Sequence, residues 1–226
     1  MFKYDSKLMR FLGAATDYVI INILYVIFCI PIITIGAAST ARYYVAMKNA
    51  RGLDIYVWKD FTKAFFSNFK MATKVWLVVL GVDIVLILDW ILIFSYKEAG
   101  FSQIHICFLI VMCLFVILFR QLVFAFIARF DNTFFNTIKI SMGLVFLNLF
   151  KLIVVVFLEL LPFLTSYRYI EYMYLIIPVG CAAALYINSH LIANIFKRLE
   201  DKIYVGEDDS RLRPDPVDDE INEDLM

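Results

Sequence analysis

The sequence predicts an all-α, polytopic membrane bundle of six transmembrane helices, with an in-plane amphipathic elbow helix between two of them. Three observations carry that expectation. Apolar residues make up 62% of the chain and mean hydropathy is +0.79, whereas a soluble domain has about 45–50% apolar residues. Four apolar runs, 75–95, 104–128, 142–165 and 172–196, reach the roughly 20 residues needed to cross hydrocarbon. The stretch 31–76 passes from a small-residue helix, through Arg51 and Gly52, into a Lys- and Phe-rich segment that leads into the next apolar run.

The region before residue 75 has two readings. Residues 11–50 are too long for one crossing, and Pro31 interrupts them, removing a donor and disfavouring helix just before it. One span over 17–38 would give five crossings and an outside N-terminus. A hairpin, 11–30 followed by 34–50, gives six. The loops 1–16, 51–74, 97–103, 129–141, 166–171 and 197–226 carry 3, 5, 1, 2, 1 and 5 Lys or Arg residues. With the hairpin, 15 of these lie on one face, leaving Lys97 and Arg168 on the other. The positive-inside rule therefore favours six crossings with both termini cytoplasmic, although the short second helix then holds Arg42 and Lys48. Its small-residue start, 34–41, fits close helix packing.

The elbow, 56–71, spaces Val57, Phe61, Phe65 and Phe69 four apart, with Trp58 and Phe66 beside them and Lys59, Lys63 and Lys70 among the remainder. A helix lying at the lipid interface has this pattern. Lys59, Phe61, Lys63, Phe65, Phe69 and Lys70 are also the candidate surface for a partner. The outer connections are short, so function is expected in the bilayer or on the cytoplasmic side. Residues 1–206 read as one transmembrane domain. The stretch 207–226 holds nine acidic and two basic residues, a net −7 that leaves +7 on the body. It is too polar to fold alone and either screens the basic face or serves as a handle for other proteins. The body's lysines and arginines adjoin membrane segments, which suits a lipid bilayer and not nucleic acid.

Cys29, Cys107, Cys113 and Cys181 lie singly in apolar runs, with no His or carboxylate at metal-ligand spacing, so neither metal nor cofactor is expected. The N-terminus has charge but no small-residue cleavage site before its long apolar run, and is expected to be retained. No phosphate-binding loop is present, and no nucleophile is spaced with a base. The expected class is non-catalytic.

Several segments, FKYDSKLMRFL at 2–12, IPIITIGAASTARYYVAMKNARG at 30–52, KDFTKAFFSNFKMAT at 59–73 and ARFDNTFFNTIK at 128–139, make the chain resemble the YesL-like family of small bacterial integral membrane proteins of unknown function. The resemblance covers nearly everything but the acidic tail. It implies residence in the bacterial cytoplasmic membrane and an accessory role beside carbohydrate-uptake ABC systems, with ABC-transporter or other membrane subunits as partners. It supplies no catalytic or ligand residues. The chain lacks the Glu-Ala-Ala loop by which permeases of such systems engage their ATPase, so a partner contact would fall to the elbow.

Ionisable groups within membrane spans are default functional hypotheses. Counting from the cytoplasmic helix ends puts Asp83 and Arg120 at the same depth, roughly 12 Å, on adjacent antiparallel helices, so they are expected to pair. The same counting gathers Asn22, Ser39, Thr40, Gln121, Asn148, Asn188 and His190 into a polar layer in the cytoplasmic half. That layer either ties helices together or lines a cavity for a small polar solute, as in a transporter or ligand sensor. Asp89 and Glu159 count to the outer side, within reach of water.

Overall fold

The structure is a computed structural model. It describes residues 7–95, 103–205 and 213–214, with side chains described over 13–95, 103–174 and 176–199. Seven α-helices make up these residues: α1 (Lys7–Phe28), α2 (Ile35–Ala50), α3 (Val57–Ser95), α4 (Gln103–Ile127), α5 (Phe134–Leu147), α6 (Leu149–Arg168) and α7 (Met173–Val205). Two residue pairs, β1 (Phe130–Asp131) and β2 (Arg213–Pro214), form an antiparallel ladder. Helices α3, α4, α6 and α7 are long and apolar enough to cross a membrane, whereas the apolar part of α1 and α5 are shorter. The apolar half of α3 exposes Leu77, Val78, Val85, Ile87, Leu88, Ile91 and Phe94. So large an exposed apolar surface is at home in lipid.

Helix α1 ends at Phe28, and Pro31 opens a short 3-10 turn, Ile32–Thr34, that hands the chain to α2. Thr34 donates its hydroxyl to the Phe28 carbonyl at 2.6 Å, and Trp76 Nε1 donates to the Ile32 carbonyl at 2.7 Å. The turn is thus tied to α3 as well as to α1. The Tyr18 hydroxyl meets the Ala46 carbonyl at 3.4 Å and the Arg42 guanidinium covers the Tyr25 ring at 4.9 Å, so α1 and α2 run antiparallel. A single helix over 17–38 does not form.

Helix α2 lies in the interior: Ala37, Ala38, Ala41, Val45 and Ala46 have no exposed surface. A Cβ at Gly36 would stand 2.5 Å from Trp76 Cβ and 2.6 Å from the Ala72 carbonyl oxygen, a separation only glycine permits. At the other end of α2, the Leu53 and Gly52 amides donate to the Lys48 and Asn49 carbonyls, with Gly52 at φ 75°. This is a Schellman closure, which needs a residue able to adopt the left-handed region. The small residues 34–41 do what their size predicts: they let α2 and α3 touch.

Residues 56–71 and 75–95 are not separate helices, because α3 runs unbroken through both. Ala72, Thr73 and Lys74 join them with neither Gly nor Pro to stop propagation. The stripe expected to rest on lipid instead turns inward. Phe61 is fully buried, Phe65 nearly so, and both pack on Phe28, because α2 lies alongside this half of α3 and offers it a protein surface. Helices α5 and α6 divide the predicted 142–165 run at Asn148. There Asn148 leaves the helical region at φ −126°, ψ 25°, and its side-chain Nδ2 donates to the Leu144 carbonyl at 3.1 Å beside its own amide. Helix α7 continues past the predicted end at 196 to Val205, and passes through Pro178 without interruption. Gly180 lets α7 approach α6, since a Cβ there would lie 2.7 Å from Pro162 Cβ. Of the acidic tail only Arg213 and Pro214 are described, paired with Asp131 and Phe130; the rest of the predicted disordered segment, and the predicted outer loop with Lys97, lie outside the described residues.

Candidate functional site

The two charges that weigh against α2 as a membrane helix both have acidic partners. Lys48 Nζ lies 3.0 Å from Asp60 Oδ2, both side chains almost wholly buried. The same oxygen accepts the Tyr56 amide at 2.9 Å, so Asp60 closes the start of α3 and clamps the end of α2 at once. Arg42 lies on the α2 side facing α6, with Nη2 3.9 Å from Glu159 Oε1. The other Glu159 oxygen accepts from Gln121 Nε2, and Gln121 Oε1 accepts from the Tyr43 hydroxyl. Arg42, Tyr43, Gln121 and Glu159 thus link α2, α4 and α6 in one polar network, with Tyr25 of α1 stacked against the guanidinium.

A cavity of about 510 Å³ opens beside this network, between α1, α6 and α7. Its walls are apolar, among them Ile23, Val26, Phe163, Ile177 and Pro178. Asn22, Arg42 and Glu159 provide its polar surface. Asn22 Nδ2 and Arg42 Nε are buried without a hydrogen-bond partner among the described residues. Each such atom costs about 1–3 kcal/mol when left unsatisfied. Asn22, Arg42 and Glu159 thus set polar groups against an otherwise apolar hollow that opens outward past Ile23, Val26 and Phe163, all of them exposed. Among the described residues no three His, Cys, Asp or Glu side chains converge as a metal site would require.

The residues expected to act together are distributed as follows. Arg120 Nη1 lies 3.8 Å from Asp83 Oδ2 across α4 and α3, with Arg120 41% exposed. The polar layer does not assemble as one site. Asn22 reaches the cavity and Gln121 the network. Thr40 donates to the Gly36 carbonyl of its own helix at 3.0 Å, and Asn148 serves the α5–α6 break. Asn188 donates to the Val155 carbonyl at 3.3 Å, tying α7 to α6, while Ser39 lies beside Tyr25. His190 stacks edge-on against Tyr186, away from the network. Depth counting can place residues at one level, but it cannot say which side of a helix each one faces. Asp89 meets His105 Nε2 at 3.4 Å. On the first half of α3, Lys59, Lys63 and Lys70 face outward with Trp58 and Phe66, whereas Phe61 and Phe65 are core and Phe69 is half-buried.

Sequence reasoning missed Arg42 with Glu159. A run counted from 142 puts Glu159 near the outer surface; with α6 beginning at Leu149, it sits midway along its helix. The available signal was two uncompensated charges in apolar helices, Arg42 and Glu159, each needing a partner.

Fold and site together define a helical bundle with four helices long and apolar enough to span a membrane, and a polar network beside an apolar hollow. Residues 18–90, from within α1 into the apolar half of α3, match the model of a family described as "Protein of unknown function, DUF624". That stretch contains the α1–α2 turn, Arg42, the Lys48–Asp60 clamp and Asp83. No curated protein and no solved structure matches the chain.

Proposed function

We propose that the chain is a YesL-like protein of the bacterial cytoplasmic membrane that works by binding rather than catalysis. In this reading it crosses six times with both termini cytoplasmic, and the cavity beside Arg42 and Glu159 receives a small amphiphilic solute. The observation that supports it is the pairing of apolar walls with buried, unsatisfied Asn22 Nδ2 and Arg42 Nε. A guest with an apolar body and one hydroxyl, amide or carboxyl group would satisfy both features. The α1–α2 hairpin returns the chain to the side it left, which supports placing the N-terminus on the same side as the basic loop after α2. Native mass spectrometry on protein released from cell membranes tests the reading. Wild type is expected to carry a bound small molecule, and Cys181→Phe, which places a ring in the cavity, is expected to lose it. Wild type that emerges without any such adduct contradicts it.

A second reading is favoured by the outward face of α3, where Trp58, Lys59, Lys63, Phe66 and Lys70 form a basic, aromatic strip. It makes the chain an accessory subunit that docks a carbohydrate-uptake ABC transporter or another membrane subunit. A photo-crosslinker at position 66 would capture that subunit; capture of lipid alone would leave the strip as a headgroup contact.

A further inference from the structure

A second polar feature lies apart from the cavity, at the end of the bundle where α2 and α4 finish. Two hollows of about 380 and 370 Å³ flank α7 and share Asn194 and Lys197. One adds Arg51, Arg129 and His190; the other adds Lys151 and Arg198. No carboxylate lines either among the described residues. Five cations thus gather around one turn of α7.

Helix termini explain only part of this. Arg51 follows the last residue of α2, where Nε donates to the Met47 carbonyl at 3.3 Å, and Arg129 follows α4, both where a helix dipole favours positive charge. Lys197 and Arg198 have no such role, for they stand well inside α7. Lys151 sits in the first turn of α6, where the dipole opposes a cation. Three of the five cations therefore leave an excess of positive charge that no carboxylate lining these hollows, among the described residues, offsets. An anion between them would remove it, and basic hollows between membrane helices on the cytoplasmic side are where anionic headgroups bind.

We propose that the hollow lined by Lys151, Asn194, Lys197 and Arg198 is a binding site for a phosphate group. The phosphate could belong to an anionic lipid headgroup or to a soluble phosphorylated molecule. The full-length protein in detergent micelles is mixed with phosphatidylglycerol and phosphatidylcholine of equal chain length, and bound lipid is counted by native mass spectrometry. Wild type is expected to retain phosphatidylglycerol at least about tenfold better. Lys197→Gln/Arg198→Gln removes two exposed cations and is expected to cut that retention by roughly ten- to thirty-fold. Lys151→Gln, on a different helix, should lower it about five-fold, so the test survives if either variant misfolds. Displacement of the lipid by millimolar pyrophosphate would identify a site that accepts soluble phosphate, and resistance to it a lipid headgroup site. Equal retention of both lipids by wild type, or unchanged retention in both variants, overturns the proposal.

Discussion

At the scale of single residues, the interior of this bundle is decided by how its charges are matched. Arg42 and Glu159 are largely but not fully buried side chains whose isolation would cost more than their pairing gains, since removing one partner of a buried pair typically costs about 3–5 kcal/mol while replacing both by apolar groups can be neutral. Arg42→Met is therefore expected to lower stability by about 3 kcal/mol, and Arg42→Met/Glu159→Leu to recover most of the loss; unfolding in mild detergent, followed by tryptophan fluorescence, measures both. The Asp83–Arg120 pair lies on helices apolar enough to face lipid, where Arg120→Leu would strand a carboxylate in hydrocarbon, so a loss of about 2–3 kcal/mol is expected there too. That pair could be read in the sequence because two antiparallel neighbours share a depth scale. The Arg42–Glu159 pair could not. It joins helices far apart in the chain, and nothing local says that α2 and α6 face one another.

Among elements, α2 organises the rest, and it does so by being small. Gly36 sets its distance to α3, and the alanines following allow α1, α4 and α7 to close around it. Gly36→Ala forces a carbon against Trp76 Cβ and the Ala72 carbonyl, neither of which is a flexible side-chain end, so a loss of roughly 2 kcal/mol is expected. The same unfolding experiment reads it, and wild-type stability in that variant would show that α2 and α3 are not in contact. The small-residue run announced this packing in the sequence. The elbow was misjudged for a related reason. A four-residue aromatic spacing reports that one face of a helix is apolar, but not whether lipid or another helix covers it. Here α2 and Phe28 cover Phe61 and Phe65, leaving Trp58 and Phe66 outside. Asn148 shows the converse limit: apolarity runs straight across it, so the break between α5 and α6, a local change in the Asn148 backbone, is something periodicity does not register.

For the molecule as a whole, the four long apolar helices were legible from composition alone, because length and hydropathy suffice to identify them. For the hairpin before them the sequence offers only charge distribution, which puts the basic loops on one face if the chain crosses six times. The fold supplies an independent argument, since α1 and α2 run antiparallel around the Pro31 turn. The central proposal is that residues 7–50 cross the membrane and come back, with Arg42 and Lys48 paired to acids inside the protein. A reporter fused to the N-terminus tests it most directly, paired with the same reporter inserted after Asp54 between α2 and α3. Green fluorescent protein, which folds only in the cytoplasm when exported in unfolded form, is predicted to fluoresce at both positions. Fluorescence at Asp54 with a dark N-terminal fusion of normal abundance would place those two points on opposite sides of the membrane and contradict the account.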